Sequence, residues 1–193
     1  MVKDMIPIEK HPLEPFLPQG ARILMLGSFP PKKERWSMDF FYPNWINDMW
    51  RISGIIFFND KDHFVMKGEK RFDRNKCISF AAGKGIAMYD TATEIRRLKD
   101  NASDKFLEIV TPTDIAGLLN LIPECHAIVT TGQKATDVIT EIFDCPEPAI
   151  GEWTWCTKSV RFWRMPSSSR AYPLSLEKKA EYYRKMYEKE ELI

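Results

Sequence analysis

The chain has 193 residues, of which 44% are hydrophobic, 12% aromatic and 28% charged, and its formal net charge is +1. That composition supplies the core of one domain and excludes global disorder, while near-neutral charge argues against a polyanion coat and still leaves room for one basic face. No apolar run approaches the ~20 residues of a bilayer span, and Met1-Val2-Lys3-Asp4 opens without a signal-peptide layout, so a cytoplasmic monomer is expected.

In chain order, residues 1–20 carry Pro7, Pro12, Pro15 and Pro18, too many for a helix or an inner strand, and are expected to form an arm over the domain. Ala21–Leu26 is a short apolar run ended by Gly27, the pattern of a buried parallel strand. Residues 44–57 place Ile46, Met49, Trp50 and Ile55 at helical spacing. Further strands are expected at 85–89, ending at Asp90, at 126–130, ending at Thr131-Gly132, and at 160–165, ending at Pro166. Thr113-Asp114 opens a helix stopped by Pro123, and residues 133–143 form another. Ser175 is placed to cap a final amphipathic helix over 175–191. Cys77, Cys125, Cys145 and Cys156 lie too far apart for a metal loop, so reduced thiols and no metal are expected.

Strands alternating with helices predict one domain over 1–193, a three-layer α/β/α sandwich around a mostly parallel sheet of about four strands. Ligands of such sheets bind at the carboxyl ends of the strands. Gly27-Ser28-Phe29-Pro30-Pro31, the turn after Asp90, Thr131-Gly132-Gln133-Lys134 and Met165-Pro166-Ser167-Ser168-Ser169-Arg170 therefore converge on one mouth. Neither GxxxxGK[ST] nor GxGxxG is present, so a phosphate-cradling loop is excluded there.

Six of the fifteen residues from Trp36 to Trp50 are aromatic. Flat rings beside an amide such as Asn47 serve either as core, as assigned to Trp50, or as a stacking site for a planar heterocycle. The MPSSSR loop sets three hydroxyls and a guanidinium side by side, all common donors to nucleic-acid phosphates. Residues 161–189 carry eight basic residues against three glutamates, which on the last helix reads as a solvated charged face.

Strand–GSFPP, then FFYPNWINDMW, then a distant MPSSSR resembles the uracil-DNA glycosylase superfamily. Within it the chain is most similar to the hypoxanthine-DNA (deoxyinosine) and mismatch-specific uracil glycosylase branch. Leu26–Pro31 resembles its LGSMPG motif, Phe41-Tyr42 its following tyrosines, and Asn47-Asp48-Met49-Trp50 its N-x-F-W helix. Gly85–Asp90, Ser103-Asp104 and Thr131–Ala135 extend the likeness over about residues 21–175. The departures are Phe29 where many relatives hold the attacking water with Asp or Asn, Met165 where others place a base-stabilising histidine, Thr131 for a base-reading Asn, and Pro31 for a glycine.

The resemblance implies a monofunctional DNA glycosylase of base-excision repair, acting on uracil or hypoxanthine flipped out of DNA and needing no cofactor. Asn47 would position the water. Gly27, Ser28 and Phe29 would line the base through their backbone, Phe41 or Tyr42 would stack on it, and Thr131 would face its edge. Ser167, Ser168, Ser169, Arg170 and Lys134 would contact DNA. Asp48, ~100° further round a helix from Asn47, is expected to matter less. Two alternatives stay open: a catalytically weak or inactive nucleic-acid-binding protein of the same fold, and a small-molecule enzyme whose crevice takes a nucleoside or nucleotide.

Overall fold

Ile23, Leu24, Met25 and Leu26 are all fully buried, which requires that both faces of their strand be covered. A computed structural model, describing residues 6–99 and 104–193, shows how. Strand β2 (Ile23–Gly27) lies inside a five-stranded sheet with β3 (Ile86–Asp90), β6 (Ala127–Thr130), β8 (Arg161–Arg164) and β7 (Glu152–Trp155), in the order β3-β2-β6-β8-β7. The first four are parallel, and β7 pairs antiparallel with β8 at the edge. The expected four strands are thus joined by a fifth, whose EWTW sequence is only half-buried and lacks the apolar run that marks the others.

Helices α1 (Met49–Phe58), α2 (Arg74–Lys84), α3 (Ile115–Leu121), α4 (Gln133–Phe143) and α5 (Leu176–Lys189) cover the sheet. From β2 the chain steps outward to β3, then crosses back over β2 to β6 and continues to β8. With right-handed crossovers, the helices preceding β3 lie on one face and α3 and α4 on the other. The change of direction makes the carboxyl ends of β2 and β6 a switch point, where ligands of open α/β sheets bind. No helix among the described residues is long and apolar enough to cross a membrane.

Helix α2 has no counterpart among the expected elements, and two further features depart from them. Strand β1 (Ile8–Lys10) in the proline-rich arm pairs with β4 (Ala92–Arg97), which pairs with β5 (Leu107–Pro112), giving a second, antiparallel sheet. Arg97 is buried there and makes a two-pronged bond to Glu9, at 3.1 and 3.0 Å. The other departure is the helix expected at 44, which begins at Met49 and leaves Ile46 half exposed. Asn44 Oδ1 accepts from Ile46 N and Asn47 Oδ1 from Met49 N, side-chain turns that compete with helix. The segment pairs instead with the serine loop: Asp48 N donates to Ser168 O at 2.8 Å, and Arg170 N to Ile46 O at 3.3 Å.

Candidate functional site

A cleft of about 980 Å3 opens at the switch point. Its border includes Gly27, Ser28, Phe29, Phe41, Tyr42, Asn47, Thr131, Lys134 and Ser167–Ser169, so ten of the predicted site positions besides Ser168 share one cavity. Arg170 faces a neighbouring pocket of about 410 Å3 with Arg51 and Asp48.

The floor is built on strand ends. Gly27 closes β2 opposite Asp90, which closes β3, and a Cβ on Gly27 would stand 2.5 Å from Asp90 Oδ1. Only glycine lets those two strand ends meet. Beyond it the turn is locked by its carbonyls: Pro31 O accepts from Trp36 Nε1 at 2.7 Å and Pro30 O from Arg97 at 3.3 Å. The Phe29 ring turns into a small cluster with Ala92, Ile95 and Leu107, 8% exposed. Its side chain is packing, and what it offers the cleft is backbone.

Tyr42 lies in the left-handed region at φ 52°, and its phenol meets Thr131 Oγ1 at 3.1 Å. An aromatic residue adopts that backbone at a cost of order 1–3 kcal/mol, and such strain gathers at functional sites. Burial above all holds its phenol well above the ordinary tyrosine range, with Asp90 adding to the rise and the Thr131 bond opposing it, so it stays neutral. Phe41 is the deeper ring, 5% exposed and packed edge-on against Phe40 and Tyr89. Its carbonyl accepts from Trp50 Nε1 at 3.0 Å, and Trp50 is core as expected, 1% exposed.

The wall opposite is held by ions. Lys179, fully buried on α5, donates to Asp48 Oδ2 at 3.0 Å and to Ser169 O at 2.8 Å. Arg170 Nε and Nη2 both reach Asp48 Oδ1 at 3.3 Å. Asp48 therefore joins α5, the serine loop and the Asn47 segment. Asp48, expected from helical geometry to matter less than Asn47, precedes the helix instead, and its carboxylate is buried between two cations. The last helix is likewise more than a solvated face.

Ser167 Oγ accepts from Ser169 N, and Ser169 Oγ from Ala171 N, which leaves both hydroxyl protons to donate outward. Ser168 is 2% exposed. Lys134 sits in the first turn of α4 and, with Arg97, opposes the effect of burial, which raises the Asp104 carboxyl above the usual range. Ser28 hydrogen-bonds to that carboxyl and Asp90 adds to the rise. Ser103, named with Asp104 in the motif, lies outside the described residues.

Asp90 and Asp104 were named from the sequence without a role, and His11 and Lys179 were not named as site residues at all. Asp90 left a signal, an acid ending a fully apolar strand at the crevice. His11 left none, since only the pairing of the arm with the second sheet brings it to Asp90. Cys77, Cys125 and Cys156 are buried, and burial pushes the Cys125 and Cys156 thiols up to about 11 and about 12. Among the described residues no group of three or more His, Cys, Asp or Glu is placed to hold a metal.

No protein-family model matches this sequence, and a search of curated proteins finds no match. A solved structure does match: the solution NMR structure of a protein provisionally named a uracil DNA glycosylase, from Methanosarcina acetivorans. The two share 20% identity at a TM-score of 0.65, over 92% of this chain and 98% of the other. At that identity the likeness establishes a common fold.

Proposed function

We propose that the protein is a DNA glycosylase that hydrolyses the N-glycosidic bond of a deaminated base, uracil or hypoxanthine, extruded from DNA. The observation that carries the reading is the meeting of Gly27-Ser28, Tyr42, Asn47, Thr131 and Ser167 around one cleft at the switch point. The shared fold with a provisionally named uracil DNA glycosylase supports it, as does the resemblance of those motifs to the hypoxanthine-DNA glycosylase branch.

In this reading the flipped base enters between the strand-end turn and the Tyr42 ring, where stacking on an aromatic contributes ~1–3 kcal/mol. The Ser28 and Phe29 amides donate to a base oxygen as negative charge gathers on the leaving group. Asn47 Oδ1 already accepts from Met49 N at 2.9 Å, which fixes the amide so that its remaining lone pair and its NH2 can hold a water behind C1′. The free hydroxyl protons of Ser167 and Ser169, with Lys134, bind phosphates. Arg170 is tied to Asp48 but half exposed, so it can share one phosphate.

A panel of labelled oligonucleotides carrying uracil, hypoxanthine, xanthine or a thymine mismatch, scored for abasic sites after alkali, tests the proposal. Strand breaks at uracil or hypoxanthine are expected. If the protein binds these DNAs and releases no base, the non-catalytic binding protein replaces the glycosylase.

A further inference from the structure

Asn47 can hold a water but cannot take its proton, because a carboxamide oxygen is only an acceptor of hydrogen bonds and a very weak base. A group that takes that proton must come from elsewhere in the cleft, since Phe29, packed into its cluster, supplies none.

Asp90 has the required geometry. It ends β3 beside Gly27 and borders the same cleft as Asn47. Oδ2 meets His11 Nε2 at 2.7 Å, whereas nothing among the described residues donates to Oδ1. That second oxygen lies against the strand-end glycine, where a Cβ would stand 2.5 Å away.

His11 is built as its holder. The arm carries it across the second sheet, with His11 N donating to Thr93 O at 2.8 Å. Its side chain is 2% exposed, clamped by Phe29 and Tyr89 at ring distances of 5.2 and 4.5 Å. Nδ1 lies 3.1 Å from Leu13 N and 2.9 Å from Leu13 O, while Nε2 faces a carboxylate oxygen, which accepts, so Nε2 carries a proton directed at Asp90.

We infer that Asp90 is a catalytic residue of the cleft, with Oδ1 facing C1′, and that His11 is its positioning residue. The inference rests on the glycosylase reading. The water oxygen bonds to C1′, and the C1′–N bond breaks with its electron pair leaving on the base. The water's proton passes to Asp90 Oδ1 and then to solvent, and solvent protonates the departed base. Before the proton moves, the carboxylate also faces the positive charge that grows on the sugar.

Three DNA duplexes and the full chain test this. One carries hypoxanthine, and two carry abasic-site analogues, a neutral tetrahydrofuran and a cationic pyrrolidine. The wild type should bind the cationic analogue at least about 10-fold tighter than the neutral one, about 1.4 kcal/mol. Asp90→Asn should bring the two within about twofold and slow single-turnover excision by roughly 10²–10⁴-fold, the range of a lost general base. His11→Gln keeps a donor and should retain the preference for the cation; His11→Leu should lose it. Because each comparison sets two ligands against one protein, a loss of stability does not imitate the result. Asp90→Asn excising at the wild-type rate overturns the inference and leaves the glycosylase standing, and a wild type that binds both analogues equally also overturns it. A wild type that prefers the cation yet excises no base from the panel upholds the placement of Asp90 and overturns the proposed function.

Discussion

The two sides of the cleft are built by different physics. The floor, Gly27, Asp90 and Thr131, hangs on the ends of β2, β3 and β6, whose residues are almost all buried and apolar. The wall, Asn47 and Ser167–Arg170, lies in loops beyond the end of β8 and is held by Asp48 between Lys179 and Arg170, over 131 and 122 residues of chain. A floor placed by burial fails on added volume. A wall placed by a buried ion cluster tolerates volume and fails on lost charge.

Breaking the wall should have the largest effect. Asp48→Ala leaves the fully buried Lys179 ammonium without its carboxylate, and removing one partner of a buried pair costs about 3–5 kcal/mol. Chemical denaturation should show that loss, and Lys179→Met added to the variant should recover a large part of it. A cost under about 1 kcal/mol would mean that the cluster is solvated and the wall is held some other way.

On the floor, Gly27→Ala should cost about 1–3 kcal/mol by overpacking, because its Cβ meets Asp90 Oδ1 at 2.5 Å. The same substitution at Gly83, where a Cβ meets nothing within 4 Å, should be neutral or stabilising. Equal effects at the two glycines would remove the close approach of Asp90 from the account.

The smallest effect sharpens the contrast. Burial raises the Asp104 carboxyl, so its charge opposes folding at pH values above its unfolded-state pKa. Asp104→Asn should therefore melt higher than wild type at pH 7. The advantage should vanish below about pH 3.9, where the group is protonated folded and unfolded alike. A variant that melts lower at pH 7 would make Asp104 a structural anchor.

This division is also why one side was legible from residue order and the other was not. A strand buried on both faces announces itself as Ile23-Leu24-Met25-Leu26, so the floor, the glycine that ends it and the direction of its opening follow from pattern alone. Strands β4 and β5 mix charged with apolar residues, and α2 buries only Cys77 and Ala81, so neither left a period to read. The start of α1 was drawn too early because the spacing of Ile46, Met49 and Trp50 is helical, while the Asn44 and Asn47 side chains close turns that hydropathy does not register. Lys179 sits among charged neighbours on an amphipathic helix. Its burial depends on Asp48, which is distant in sequence and nearby only in the fold. The motifs of the cleft were legible as chemistry; His11 became visible only when the arm was seen to pair with the second sheet.

The claim that Asn47 carries the reaction in this cleft is tested most directly by single-turnover excision from hypoxanthine- and uracil-containing DNA, with Asn47→Ala beside the wild type. Asn47 is half-buried, and among the described residues its side chain makes one bond, from Met49 N, so DNA affinity and melting temperature should change little. The rate should fall by roughly 10²-fold or more, as when one positioned catalytic group is lost. Excision by Asn47→Ala at the wild-type rate would contradict the account.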